Sequence, residues 1–221
     1  MMTAIPEPAK ERLLQLMRFL EQNNGAPLTS AEAEVLTGWP SCTIRKDISY
    51  LADKTLPGGT AEEAGEGEGV CRKAGSAAGY SPGQLIPVIK KALGLDRRRR
   101  FCVVGLGRLG SAYLNFEAYE LGEFELAAGF DTNVNRVEIL KSPVPLYPAY
   151  KMAEVIGRFS IEIALLCVPG DAAQTVAEKL AAAGIRGILN FAPAALKLPP
   201  DLTVRNVYVA DELRALAVRM G

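Results

Sequence analysis

Phe101-Cys102-Val103-Val104 runs directly into Gly105-Leu106-Gly107-Arg108-Leu109-Gly110. The apolar quartet predicts a short strand buried on both faces. The glycines that follow are spaced G-x-G-x-x-G, and Ala112, Leu114 and Phe116 beyond them continue as a helix. Alone, that spacing is a weak pattern; between a strand and a helix it is the fingerprint of a dinucleotide site. Gly105 permits the tight turn, Gly107 lets the backbone approach a pyrophosphate, and Gly110 lets the helix pack against the strand. The loop, with Leu106, Arg108 and Leu109 between its glycines, is the candidate phosphate cradle, set at a helix start where N–H groups face an anion.

Downstream, residues 126–130 predict a second strand that ends at Asp131, about 26 residues beyond Gly105. An acid at roughly that distance bonds the adenosine ribose and favours NAD over NADP, because a 2′-phosphate would meet like charge. The competing role for Asp131 is that of a strand-end turn former. Further strands are expected at 163–167 and 187–191, with a helix at 172–183 between them. Val168 and Pro169 close one strand, Asn190 and Phe191 the other, on the edge where open α/β sheets bind ligands. These four are candidates for the nicotinamide end of the site. Alternating strands and helices from residue 101 onward predict a parallel α/β sheet of the Rossmann type.

Upstream of residue 84 the texture changes. Pro8 suits a first helical position, and Leu13, Leu16, Met17 and Leu20 then share one face. Asn23-Asn24-Gly25 ends that helix, and Thr29 with Glu32 has the spacing of a capping box for a second. Gly38 makes a turn; Pro40 and Ser41 open a third helix with Ile44, Ile48 and Leu51 on its buried stripe. Two helices joined by a glycine-containing turn form the helix-turn-helix pattern. Ser41, Thr43, Arg45, Lys46, Ser49 and Tyr50 fall at the start or on the outward side of the third helix, and they suit phosphates and base edges. A small oligomerisation domain with a solvated polar face is the other reading of the same pattern.

The chain has 221 residues, of which 49% are hydrophobic, enough for two domains with real cores. Basic and acidic residues balance at 25 each, so net charge selects no partner. Positive charge gathers instead at Lys90, Lys91 and residues 97–100, a basic connector. There is no histidine, which removes the commonest acid/base group and the commonest metal ligand. The four cysteines lack C-x-x-C spacing, so neither a zinc site nor a disulfide scaffold is expected. No apolar run approaches the roughly 20 residues of a membrane span. The expectation is a cytoplasmic protein with no metal and no membrane partner.

Taken as a series, several stretches resemble the Rex family of redox-sensing transcriptional repressors. They are Ile5-Pro6-Glu7 with Arg12-Leu13, Arg45-Lys46-Asp47-Ile48-Ser49-Tyr50, Gly79-Tyr80, the 105–110 loop and Phe130-Asp131. Val168-Pro169, Ala173-Gln174, residues 187–193 and Val204-Arg205-Asn206 complete the series. The resemblance implies a winged helix-turn-helix DNA-binding domain over 1–83 with a wing at 53–79, where Arg72 and Lys73 supply the basic contacts. It further implies a connecting helix and linker over 84–100, a Rossmann domain over 101–209, and a C-terminal helix over 210–221 swapped across a homodimer. Such proteins bind double-stranded operator DNA when NADH is scarce and release it when NADH binds. Arg12, Tyr80 and the position of Tyr208 belong, on this resemblance, to the switch; Tyr80 either reaches the nicotinamide or is an ordinary core tyrosine.

Two features depart from the family pattern. The wing interval is long and carries several glutamates, and Tyr208 stands where the family commonly has an aspartate. A paralogue that keeps the fold and dimer but has lost or altered DNA binding or NADH response is therefore a second reading. An NAD-dependent oxidoreductase and a CoA-binding module are further alternatives. The first would need a substrate domain and a proton donor for which little chain remains, and no catalytic residue is assigned.

Overall fold

The computed structural model describes residues 5–23, 25–52, 79–115 and 122–220. The chain divides into two compact units between Arg97 and Arg98.

In the first unit, α1 (Glu7–Gln22), α2 (Ser30–Thr37), α3 (Ser41–Ala52) and α4 (Pro82–Leu93) share one apolar core. The expected stripe of α1 is in place: Leu13, Leu16, Met17 and Leu20 are all buried. The capping box also forms. Glu32 N–H donates to Thr29 Oγ1 at 3.1 Å, and Thr29 N–H donates to Glu32 Oε2 at 2.8 Å. Gly38 closes α2 in the left-handed region, which lets α3 start at Ser41 and turn Ile44, Ile48 and Leu51 inward. Tyr80 and Leu28 exchange two backbone hydrogen bonds of 2.8 and 3.0 Å, an isolated antiparallel bridge ahead of α4.

Of the expected connector, residues 84–97 belong to this unit and residues 98–100 to the second. Leu85 and Ile89 of α4 are buried in the core beside α1, so the boundary falls near 97 and not at 83–84. Apart from Gly79, the wing expected at 53–79, with Arg72 and Lys73, lies outside the described residues.

The second unit is a Rossmann-type α/β fold. In the described residues its strands are β1 (Arg99–Val104), β2 (Phe124–Asp131), β3 (Leu146–Pro148), β4 (Ile163–Leu166), β5 (Gly187–Asn190) and β6 (Thr203–Asn206). They form one sheet of order β3-β2-β1-β4-β5-β6, with every neighbouring pair parallel. Helices α5 (Arg108–Leu114), α6 (Val134–Ile139), α7 (Met152–Phe159) and α8 (Gly170–Ala182) follow β1, β2, β3 and β4, and α9 (Val209–Met220) ends the chain. Phe116, expected to prolong α5, lies outside the described residues.

Alternation along the strands feeds two cores. Cys102 and Val104 of β1 join Ala128, Phe130, Ala164 and Leu166 on one face, while Phe101 and Val103 join Leu165 on the other. A sheet covered on both sides needs near-continuous apolar strands, which is why β1 and β4 read so clearly in the sequence. The chain passes from β1 to β2 and β3 on one side, then crosses to β4 on the other. A crevice opens at the carboxyl ends of the strands where that order reverses.

Candidate nucleotide site and helical DNA face

The crevice has a volume of about 1140 Å³. Gly105, Gly107, Arg108, Leu109, Asp131, Arg136, Val168 and Pro169 are among the residues that line it. The glycine loop is shaped by close backbone approach. Gly105 has φ +90, and a Cβ there would lie 2.6 Å from the Cys167 carbonyl oxygen. At Gly110 a Cβ would stand 1.8 Å from the Gly105 carbonyl oxygen. By contrast, nothing lies within 4 Å of a Cβ built on Gly107. The first and last glycines hold the turn against β4 and α5, and the middle one leaves open space where a pyrophosphate would sit.

Leu106, named with the loop, has another use. Its side chain is buried in the core, and its N–H donates to Asp131 Oδ2 at 2.7 Å. Asp131 is only 5% exposed. Its Oδ1 accepts from Asn133 N–H at 2.7 Å, and Arg136 Nη1 donates to Oδ2 at 3.0 Å. Burial pushes this carboxyl up, but the two backbone donors and Arg136 outweigh it and hold it below its ordinary range. Arg136 thus modifies the simple expectation for an unaccompanied acid. A 2′-phosphate at this edge would meet a cation as well as a carboxylate.

Cys167, between β4 and Val168, also lines the crevice, and burial pushes its thiol up to about 12. It is a protonated, weakly reactive group there. Asn190 ends β5 and Phe191 follows it. Asn190 is fully buried, and its Nδ2 donates to the Ala194 carbonyl and to Asn206 Oδ1, each at 2.9 Å. Its Oδ1 accepts from Ala192 N–H at 3.0 Å. These bonds make the side chain a support for the loop after β5. Phe191 packs on Tyr113 with ring centroids 4.9 Å apart.

Tyr208 joins the Asn190 network. Its Oη donates to the Ala194 carbonyl at 2.8 Å and accepts from Asn190 Nδ2 at 3.3 Å. Tyr80 is 4% exposed, in the core of the first unit. Arg12 is held by Asp47 of α3 through Nε to Oδ2 at 2.6 Å and Nη2 to Oδ1 at 2.8 Å. Asp47 is 3% exposed, so this bidentate pair fixes α1 against α3 from inside the unit. Sequence reading assigned no role to Asp47 or Arg136. Arg12 and Asp47 stand 35 positions apart, with no local spacing to link them. Arg136 had a signal in Asn133, which caps α6 by accepting from Arg136 N–H at 3.2 Å and brings that arginine back toward Asp131.

On α3, Arg45, Lys46 and Ser49 are exposed, while Ser41, Thr43 and Tyr50 are half-buried. Tyr50 packs in part against the core. Arg45 is folded back on its own helix, Nε donating to the Ser41 carbonyl at 3.3 Å. Among the described residues no cluster of histidine, cysteine or carboxylate side chains could hold a metal ion. No described helix is long and apolar enough to cross a membrane.

Residues 96–194 match the family model described as CoA binding domain. The redox-sensing transcriptional repressor Rex of Levilactobacillus brevis is 33% identical over 215 residues, covering 96% of this chain and 92% of its own. Three solved structures of RSP, a Rex-family repressor, are similar along nearly all of both chains. RSP in complex with NADH superposes with a TM-score of 0.77 at 28% identity, covering 99% of this chain and 95% of its own. RSP in complex with NAD⁺ and operator DNA gives 0.77 at 29% identity, covering 99% and 93%.

Proposed function

The chain belongs to the Rex family of redox-sensing transcriptional repressors, and from that premise we propose that it is a homodimeric repressor that binds double-stranded operator DNA and leaves it when NADH binds. One observation carries the reading. A single chain combines a Gly105–Gly107–Gly110 cradle at the sheet's switch point with a helix, α3, whose Arg45, Lys46 and Ser49 face solvent.

Each part has a physical task. The loop approaches the dinucleotide's pyrophosphate through Gly107, with Arg108 adding positive charge and Leu109 an apolar wall. Asp131 stands at the adenosine ribose, and Val168 and Pro169 at the other end of the crevice. NADH, when bound, supplies no chemistry here; it supplies binding energy that favours one arrangement of the two subunits over the other. A thiol held in its protonated form and a sequence without histidine fit that role. On the DNA side, Arg45 and Lys46 supply phosphate contacts, which set affinity, while Ser41, Thr43, Ser49 and Tyr50 lie at the helix edge nearest the bases. Arg72 and Lys73 are the proposed wing contacts. Such a protein acts in the cytoplasm, where bacterial operators are.

Arg12, Tyr80 and Tyr208 are the proposed switch positions. Arg12 and Tyr208 have partners inside their own units, Asp47 for one and Asn190 with Ala194 for the other. Tyr208 offers a hydroxyl, not a carboxylate, and this observation favours the second reading, a paralogue with an altered NADH response.

Titration calorimetry with NADH, NAD⁺ and CoA separates these readings. The proposal expects NADH to bind at least about tenfold more tightly than NAD⁺, a difference of about 1.4 kcal/mol. Equal binding of the two dinucleotides favours the altered paralogue. Binding of CoA alone assigns the crevice to the CoA-binding class.

A further inference from the structure

We infer that Arg136 sets the specificity of the crevice at the adenosine ribose, relaxing the discrimination against a 2′-phosphate that Asp131 alone would impose. The inference rests on the proposed reading of the crevice as a dinucleotide site and deepens it.

One carboxylate can accept at about four lone-pair sites. Leu106 N–H and Arg136 Nη1 occupy both sites on Oδ2, at 2.7 and 3.0 Å. Asn133 N–H occupies one on Oδ1, at 2.7 Å. One site remains. A ribose diol that donates from both hydroxyls therefore finds room for one hydrogen bond, unless Arg136 gives way. The two backbone donors cannot give way, because they belong to the glycine loop and to the turn that caps α6.

Arg136 can move. Its side chain is 44% exposed, against 5% for that of Asp131, and both residues line the crevice together with Thr132. A half-exposed arginine exchanges partners at small cost, since such pairs contribute little in water. A 2′-phosphate entering this edge finds a guanidinium whose planar donors match phosphate oxygens. Thr132 lines the same wall. The charge that would repel the phosphate is already paired. Asp131 thus serves first to hold the glycine loop through Leu106, and its ribose preference is tempered by the arginine five positions later.

The test is a set of dissociation constants for NADH and NADPH, measured on the full-length wild type, R136A and R136K at one ionic strength. In the wild type the NADPH-to-NADH ratio of dissociation constants is expected to stay within about tenfold. R136A should raise that ratio by about tenfold or more, by weakening NADPH and sparing or tightening NADH. R136K, which keeps the charge but not the planar donors, should fall between the wild type and R136A. A wild type that already rejects NADPH by about a hundredfold, or a ratio unmoved in R136A while NADH still binds, overturns this inference and leaves the dinucleotide site standing. A wild type that binds neither dinucleotide overturns the reading of the crevice itself, and this inference with it.

Discussion

Gly110→Ala is expected to abolish NADH binding, with a loss of about a hundredfold or more in affinity, equivalent to about 2.7 kcal/mol. The reason is steric. A methyl group at 110 would stand 1.8 Å from the Gly105 carbonyl oxygen and 2.9 Å from its carbon. Both are backbone atoms, so no side chain can rotate away. The clash is relieved only if α5 lifts from β1 or the loop opens. Gly105 cannot take up the shift, because it already lies at φ +90 and against the Cys167 carbonyl. Overpacking of this kind costs about 1–3 kcal/mol of stability in addition. Gly107→Ala is the control for folding: with nothing within 4 Å of its Cβ, it should leave thermal stability unchanged. Its methyl would still fill the space reserved for the pyrophosphate and weaken NADH. Calorimetry and a melting curve on the two variants decide the matter, and wild-type affinity in Gly110→Ala would refute the cradle.

Loss of the dimer is the second large effect expected, on placing glutamate at both Leu213 and Leu216. Along α9, Val209, Leu213, Leu216 and Met220 recur at the spacing of one helical face, and they are 71%, 60%, 54% and 78% exposed. None of the 12 residues of this helix is buried in the described chain. An isolated helix of that length is marginal in water, so its stability has to come from packing of the apolar face. A second copy of the chain is the surface the proposal assigns to it. Burial of one leucine contributes about 1.5–3 kcal/mol, and two such stripes across a two-fold interface are enough to govern assembly. Light scattering coupled to gel filtration should show a dimer for the wild type and a monomer for the double variant. A double variant that remains dimeric would place the interface elsewhere.

What could be read from sequence, and what could not, follows the range of the interactions involved. The strand, the glycine loop and the following helix are consecutive, so their pattern is local and the cradle was legible. The helix-turn-helix core was legible for the same reason, through the capping box of Thr29 and the stripe on α3. Strands β3 and β6 were not, since Leu146–Pro148 and Thr203–Asn206 are edge segments too short to show alternation. The placement of α4 in the first unit depends on packing against α1, far away in sequence. Asn190 shows the limit within the site: its position at a strand end is visible in the sequence, but its partners at 192, 194, 206 and 208, which support the loop, are not. Arg12 likewise carried the mark of a switch residue, and its bidentate partner Asp47 became visible only when α1 met α3.

The measurement that tests the central claim most directly is fluorescence anisotropy of a labelled operator fragment bound to the purified chain, titrated with NADH and, in parallel, with NAD⁺. The predicted result is salt-sensitive binding to the fragment, reversed by NADH at concentrations where NAD⁺ leaves the complex intact. A complex that NADH and NAD⁺ disturb equally, or no binding of operator DNA at any salt concentration, would contradict the assignment of this chain as a redox-sensing repressor.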